Sequence, residues 1–96
     1  MYRKIVQHKD KKHFGTITTV YKSEENFLLV EDGRDGRVYY FVDLQLTRLY
    51  PVTLSVPINT AVTTIDYCCD IDLQKRGFSK CPDWIYSLIS EEDRGS

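Results

Sequence analysis

The stretch from Phe27 to Asp43 constrains the fold more than any other part of this chain. It reads FLLVEDGRDGRVYYFVD, two short apolar and aromatic strings joined by DGRDG. β-Branched and aromatic residues favour strands, whereas Gly and Asp tolerate the positive φ angles of tight turns. The pattern therefore predicts a β-hairpin with strands at residues 27–31 and 37–42, closed by the DGRDG loop.

Three further strands are predicted around this hairpin, at residues 13–22, 52–56 and 60–67. Five short strands in so few residues favour a closed sheet, because closure removes exposed strand edges. The predicted fold class is mainly β: a small five-stranded antiparallel barrel of the oligonucleotide-binding (OB) type. The segment from Leu44 to Leu49 fits an irregular loop and an edge strand equally well.

The C-terminal third changes its periodicity from strand to helix. Asp72 and Gly77 are suited to start and end one helical turn. After it, residues 82–91 predict a short amphipathic helix whose apolar residues are spaced i, i+4; these are Trp84 with Leu88, and Ile85 with Ile89. Packing on the barrel is the first interpretation of this stripe, and contact with a partner is the second.

The chain length of 96 residues predicts one domain with three parts. These are a basic N-terminal arm at residues 1–12, the barrel at 13–67, and a helical extension at 68–96 that packs on the barrel. No apolar run approaches the ~20 residues that a membrane helix requires. We therefore expect a cytoplasmic protein without a membrane partner.

Basic residues are concentrated at the N-terminal end. Residues 1–22 contain six Lys and Arg against one acid, although the whole chain has 13 bases and 14 acids. Such a segment is either a solvated leader or an arm that contacts phosphate groups.

No motif for catalysis or cofactor binding is present. The sequence contains no phosphate-binding Gly-rich loop, no His-Glu-x-x-His and no Gly-x-Ser-x-Gly. Cys68, Cys69 and Cys81 are an odd number without paired Cys-x-x-Cys spacing, so they predict free thiols and no metal site. We expect a protein that is not an enzyme and that needs no cofactor.

The aromatic residues of the hairpin supply the main functional signal. Alternation along the second strand places Val38, Tyr40 and Val42 on one face, which we assign to the core. Tyr39 and Phe41 then face outward with Phe27, forming a triad of exposed rings. Rings on an exposed sheet stack on the bases of single-stranded nucleic acids.

The order of these segments resembles a divergent cold-shock domain over residues 13–67. GTITTVYKSEENF is similar to that family's first strand, Ser-Glu turn and first ribonucleoprotein motif, and RVYYFVD is similar to its second motif. The segments VTLSV and AVTTID resemble its last two strands. The resemblance implies an OB barrel that binds single-stranded RNA or DNA, with Phe27, Tyr39 and Phe41 at the stacking positions.

Two functional hypotheses follow from these observations. The first is single-stranded RNA or DNA binding through Phe27, Tyr39, Phe41, Tyr21, Lys22, Arg34, Arg37, Lys9, Lys11 and Lys12. The second is a protein-interaction module, with a protein partner or as a homo-oligomer, that uses the barrel surface or the Trp84 helix. Aromatic residues and Arg are enriched at protein interfaces too, so composition does not separate the two. Charge separates them better, because Glu24, Glu25 and several other acids flank the hairpin.

Overall fold

A computed structural model describes residues 2–10, 15–52, 64–65 and 77–94 of the chain. The described part contains one antiparallel sheet and two short helices. Its strands are β1 (Tyr2–Asp10), β2 (Thr16–Lys22), β3 (Asn26–Gly33), β4 (Gly36–Asp43), β5 (Arg48–Val52), β6 (Thr64–Ile65) and β7 (Ser79–Lys80), and its helices are α1 (Asp83–Leu88) and α2 (Glu91–Arg94). The strand order across the sheet is β6-β1-β2-β3-β4-β5-β7.

The hairpin of β3 and β4 confirms the prediction made from residues 27–43. Its pairing runs from Asn26 opposite Asp43 to Gly33 opposite Gly36, so only Arg34 and Asp35 form the turn. Gly36 has a φ of 128°, which side chains rarely permit, and this explains the glycine at that position. The turn is thus three residues shorter than the DGRDG loop expected from the sequence.

Residues 2–10 form a strand, so the interpretation of this segment as a solvated leader is wrong for these residues. β1 pairs antiparallel with β2 along almost its whole length, with an irregularity between Lys4 and Val6. Tyr2 is buried, and its hydroxyl donates a hydrogen bond of 2.8 Å to Oδ1 of Asn26. Charged residues are compatible with a strand near a sheet edge, where one side faces water.

Mainly-β architecture is confirmed, but the closed five-stranded barrel is not. Within the described residues the sheet is open, and apolar clusters lie on both of its faces. One cluster, on what we call the aromatic face, contains Tyr2, Tyr21, Leu28, Val30, Phe41, Tyr50 and Val52. The other, on what we call the helix face, contains Val20, Phe27, Leu29, Val42, Leu46, Cys81, Ile85 and Ile89. Both faces of this sheet therefore need cover from water, and α1 supplies it on the helix face.

The segment between β4 and β5 combines the two interpretations that the sequence left open. Residues 44–47 form the turn between the strands, and Leu49 lies in β5. Leu46 adopts a φ of 60° and is nevertheless buried in the helix-face cluster. Asp43 organises the turn by accepting hydrogen bonds from the backbone N–H groups of Thr47 (2.7 Å) and Arg48 (2.9 Å).

The predicted C-terminal helix is present but interrupted. α1 ends because Ile89 adopts extended backbone angles, and the chain restarts as α2 at Glu91. Ile85 and Ile89 are both 1% exposed, so this half of the predicted stripe packs against the sheet. Parts of three predicted elements lie outside the described residues. They are the helical turn at Asp72 to Gly77, apart from Gly77 itself, residues 53–56, and residues 60–63 and 66–67 of the last predicted strand.

Candidate binding cleft

A row of four side chains, polar at three positions and called the polar row here, crosses the helix face of the sheet. Pairing places His8 opposite Thr18, Thr18 opposite Glu31, and Glu31 opposite Val38. Residues directly opposite each other in antiparallel strands share a face, so these four side chains lie in line across β1 to β4. The preceding row, which runs from Val6 through Val20 and Leu29 to Tyr40, is apolar. The helix face therefore changes from apolar to polar toward the β3–β4 turn.

Helix α1 marks the boundary between these two regions. Ile85 packs into the apolar cluster, whereas Trp84, one residue earlier, is 46% exposed. The indole lies beside the polar row and lines a cleft of about 540 Å³. The remaining described residues that line this cleft are His8, Asp10, Thr16 and Glu31.

Glu31 is the most unusual group in the cleft. Burial raises the pKa of its carboxyl above the ordinary value of 4.5. The pKa of Tyr40, on the same face, is raised by burial and also by the negative charge of Glu31. Within the described part of the chain, no hydrogen bond or ion pair satisfies the Glu31 carboxylate. A half-buried carboxylate without a partner has lost hydration without a compensating contact.

A second, shallower cavity of about 300 Å³ adjoins the cleft and shares Thr16 and Glu31 with it. Its other lining residues come from the β3–β4 turn and the start of β4, and they include Arg34 and Arg37. Arg37 forms an ion pair with Asp32, and this hydrogen bond raises the pKa of the guanidinium. Arg37 is therefore already neutralised, whereas Arg34 is exposed at the tip of the turn.

The predicted triad of outward rings is wrong. Phe27 and Phe41 are each 1% exposed and lie in different clusters, Phe27 on the helix face and Phe41 on the aromatic face. Tyr39 is half-buried against the aromatic-face cluster. Val38, which was assigned to the core, is 45% exposed, although Val42 is buried as expected.

Turn length explains this error. A five-residue DGRDG loop pairs Glu31 with Arg37 and so places Phe27 opposite Phe41 on one face. The actual two-residue turn pairs Phe27 with Val42 and Leu28 with Phe41. A register difference of one residue moves a side chain to the other face of the sheet.

Two further predicted contact residues, Tyr21 and Lys22, are engaged inside the protein. Tyr21 is 0% exposed, and burial raises the pKa of its hydroxyl. The Nζ of Lys22 donates a hydrogen bond of 2.5 Å to the carbonyl oxygen of Asp93 and lies 5.6 Å from the ring centre of Phe27. Lys22 therefore helps to fasten α2 to the sheet.

The remaining predicted bases do not form one patch around exposed rings. Lys9 is exposed on β1 and pairs with Ile17, which places it on the aromatic face. Lys11 and Lys12 lie outside the described residues. The residues that line the cleft, Glu31 and His8 in particular, were not identified from sequence. Trp84 was identified as a possible contact, because its helix is amphipathic.

The described ranges contain one cysteine, Cys81, and no metal-binding group. Cys81 is a free thiol that is 3% exposed, and burial, with the nearby charges of Asp43 and Asp83, raises its pKa to about 11. The prediction of a free thiol is confirmed for Cys81, whereas Cys68 and Cys69 lie outside the described residues. Among the residues described, no three His, Cys, Asp or Glu side chains gather into a metal-binding group.

Neither α1 nor α2 has the length and apolar character needed to cross a membrane.

Comparison of the chain with protein-family models, with curated proteins and with solved structures finds no match. The resemblance to cold-shock domains remains a prediction from the sequence. Functional inference therefore depends on the cleft and its surroundings.

Proposed function

We propose that this chain is a non-catalytic protein-binding module whose contact surface is the cleft beside Trp84. The observation that carries the proposal is the position of the indole. It is the only tryptophan of the chain, it stands 46% exposed, and it borders a cleft of about 540 Å³. Large aromatic side chains in such positions are the residues that contribute most to protein interfaces.

Rigid support of Trp84 favours this function. The next residue of α1, Ile85, is anchored in the helix-face cluster together with Ile89. α2 is held to the sheet by Lys22, and Arg3 approaches the Asp93 carboxylate to 3.9 Å. A helix that is fixed before binding loses little backbone entropy when a partner docks, and this increases affinity.

The alternative function, single-stranded nucleic-acid binding, has less support. Burial removes Phe27 and Phe41 from a stacking surface, and Arg37 is paired with Asp32. The exposed bases Lys9 and Arg34 are still available for phosphate contacts. Nucleic-acid binding therefore remains a hypothesis that the same experiments test.

The test is a selection of peptides from a random library on the immobilised protein. We expect enriched peptides to lose most of their affinity for Trp84→Ala and to keep it for Tyr86→Ala. Tyr86 is a matched control because it lies on the same helix, is 49% exposed and is separated from Trp84 by about 200° around the helix axis. Circular dichroism of both variants verifies that they are folded.

Three results would contradict the proposal. One is the enrichment of no peptide that depends on Trp84. Another is a light-scattering mass twice that of the monomer that returns to the monomer mass in Trp84→Ala, which assigns the surface to self-association. The third is binding of a labelled single-stranded oligonucleotide at low salt that is lost on Lys9→Ala with Arg34→Ala, which assigns the function to phosphate recognition.

A further inference from the structure

The cleft combines two groups that recognise the same kind of ligand. Trp84 presents an aromatic surface, and an indole is the strongest of the side-chain partners for a cation above its ring. Glu31 presents a carboxylate that lacks a partner within the described residues. A positively charged group is attracted by both.

We propose that this cleft binds a lysine or arginine side chain of a basic segment in the protein partner. The inference rests on the proposed protein-binding function and adds the chemistry of the ligand. The cation would approach Trp84 from the solvent side, and its charge would compensate the carboxylate of Glu31.

The charges around the cleft agree with a cationic ligand. Asp10 lies on its wall, and Asp83 begins the helix that carries Trp84. Among the described residues, Arg34 and Arg37 line the adjoining cavity, and Arg37 is neutralised by its own acid. His8 is the only other titratable group among the described residues that line the cleft. An anionic ligand would meet repulsion from the Glu31 carboxylate.

The size of the cleft also agrees with this ligand. About 540 Å³ lies within the range of pockets that bury small molecules, so one long side chain with part of its backbone fits. The polar wall of Thr16 and His8 is suited to the peptide groups that accompany such a side chain. As the described residues outline it, the cleft opens on the surface.

A titration with fluorescein-labelled hexalysine tests the proposal, with hexaarginine as a second cation and hexaglutamate as the control. Because the chain has a single tryptophan, its emission reports directly on occupancy of the cleft. We expect both basic peptides, but not hexaglutamate, to change this emission at low salt. We expect Glu31→Gln and Trp84→Ala each to weaken hexalysine binding about tenfold, measured by anisotropy of the label.

Glu24→Gln is the matched control for charge. It removes one carboxylate, as Glu31→Gln does, but from the exposed turn between β2 and β3. Equal weakening by Glu24→Gln and Glu31→Gln would show that only net charge matters and would overturn the proposal. Tryptophan emission that stays unchanged at saturating hexalysine would overturn it as well.

The two proposals fail in different ways. If library peptides depend on Trp84 but carry no Lys or Arg and tolerate Glu31→Gln, protein binding stands and cation recognition is refuted. If no library peptide depends on Trp84, the protein-binding function is refuted whatever hexalysine does.

Discussion

Phe41→Ala separates a core role for this ring from the stacking role expected from sequence. Phe41 is 1% exposed, and its ring lies nearly parallel to that of Tyr2, with 6.4 Å between ring centroids. Removing a phenyl ring from a packed core destabilises a protein by about 3–5 kcal/mol, because transfer energy is lost and a cavity remains. Natural domains of this size have a total stability of about 5–15 kcal/mol.

Urea unfolding followed by circular dichroism measures this loss. With a slope of about 2 kcal/mol per molar urea, a loss of about 4 kcal/mol lowers the unfolding midpoint by roughly 2 M. Val38→Ala is the control on the same strand. Its side chain is 45% exposed, so we expect a change within about 0.5 kcal/mol.

If Phe41→Ala does not fold at all, Phe41→Leu keeps the test quantitative, with an expected loss of about 1–2 kcal/mol. A Phe41→Ala variant that unfolds cooperatively within about 1 kcal/mol of the wild type would refute the buried position. It would also restore the ring to the set of possible stacking residues.

Four further outcomes follow from individual contacts. Tyr2→Phe, which removes the hydroxyl bonded to Asn26, should cost about 1–2 kcal/mol in urea unfolding, whereas a residue in a solvated leader would contribute nothing. Burial alone would raise the pKa of Asp43, but hydrogen bonds from the turn hold it below its ordinary 3.8. Asp43→Ala should therefore cost about 1–3 kcal/mol at pH 7, and the difference should become smaller as the pH falls through the lowered pKa. Burial raises the pKa of Glu31, so the charged form of this side chain opposes folding. Glu31→Gln should therefore be more stable than the wild type at pH 7 and equally stable below pH 4.5, and thermal unfolding at both pH values measures this difference. Cys81, with its pKa raised to about 11, should react with iodoacetamide only after denaturant is added, and peptide mass mapping distinguishes it from the other two thiols.

The local chemistry of the sequence determined the class of fold and its central hairpin. Gly and Asp between two β-branched and aromatic strings permit little besides a tight turn between strands. That β3 pairs with β4 across a glycine turn follows from these residues, whereas the length of the turn and the register of the pairing do not. The i, i+4 spacing likewise predicted an apolar stripe on this helix, of which Ile85 and Ile89 face the sheet whereas Trp84 is exposed.

Only the tertiary structure decided which faces of the sheet are buried. Alternation shows which side chains of one strand share a face, but it does not show whether one face or both are covered. Phe27 and Phe41 were expected together on an open face, yet they lie on opposite faces and both are buried, because the turn is two residues long and each face carries an apolar cluster.

The same limit applies to β1 and to the cleft. The charged segment around Lys4 and Lys9 has little strand character by itself, and its hydrogen bonds with β2 define it as a strand. Glu31 and Trp84 are far apart in sequence, and no local pattern connects them. They line one cleft because α1 packs on the apolar rows of the helix face, and Trp84 lies where these rows meet the polar row.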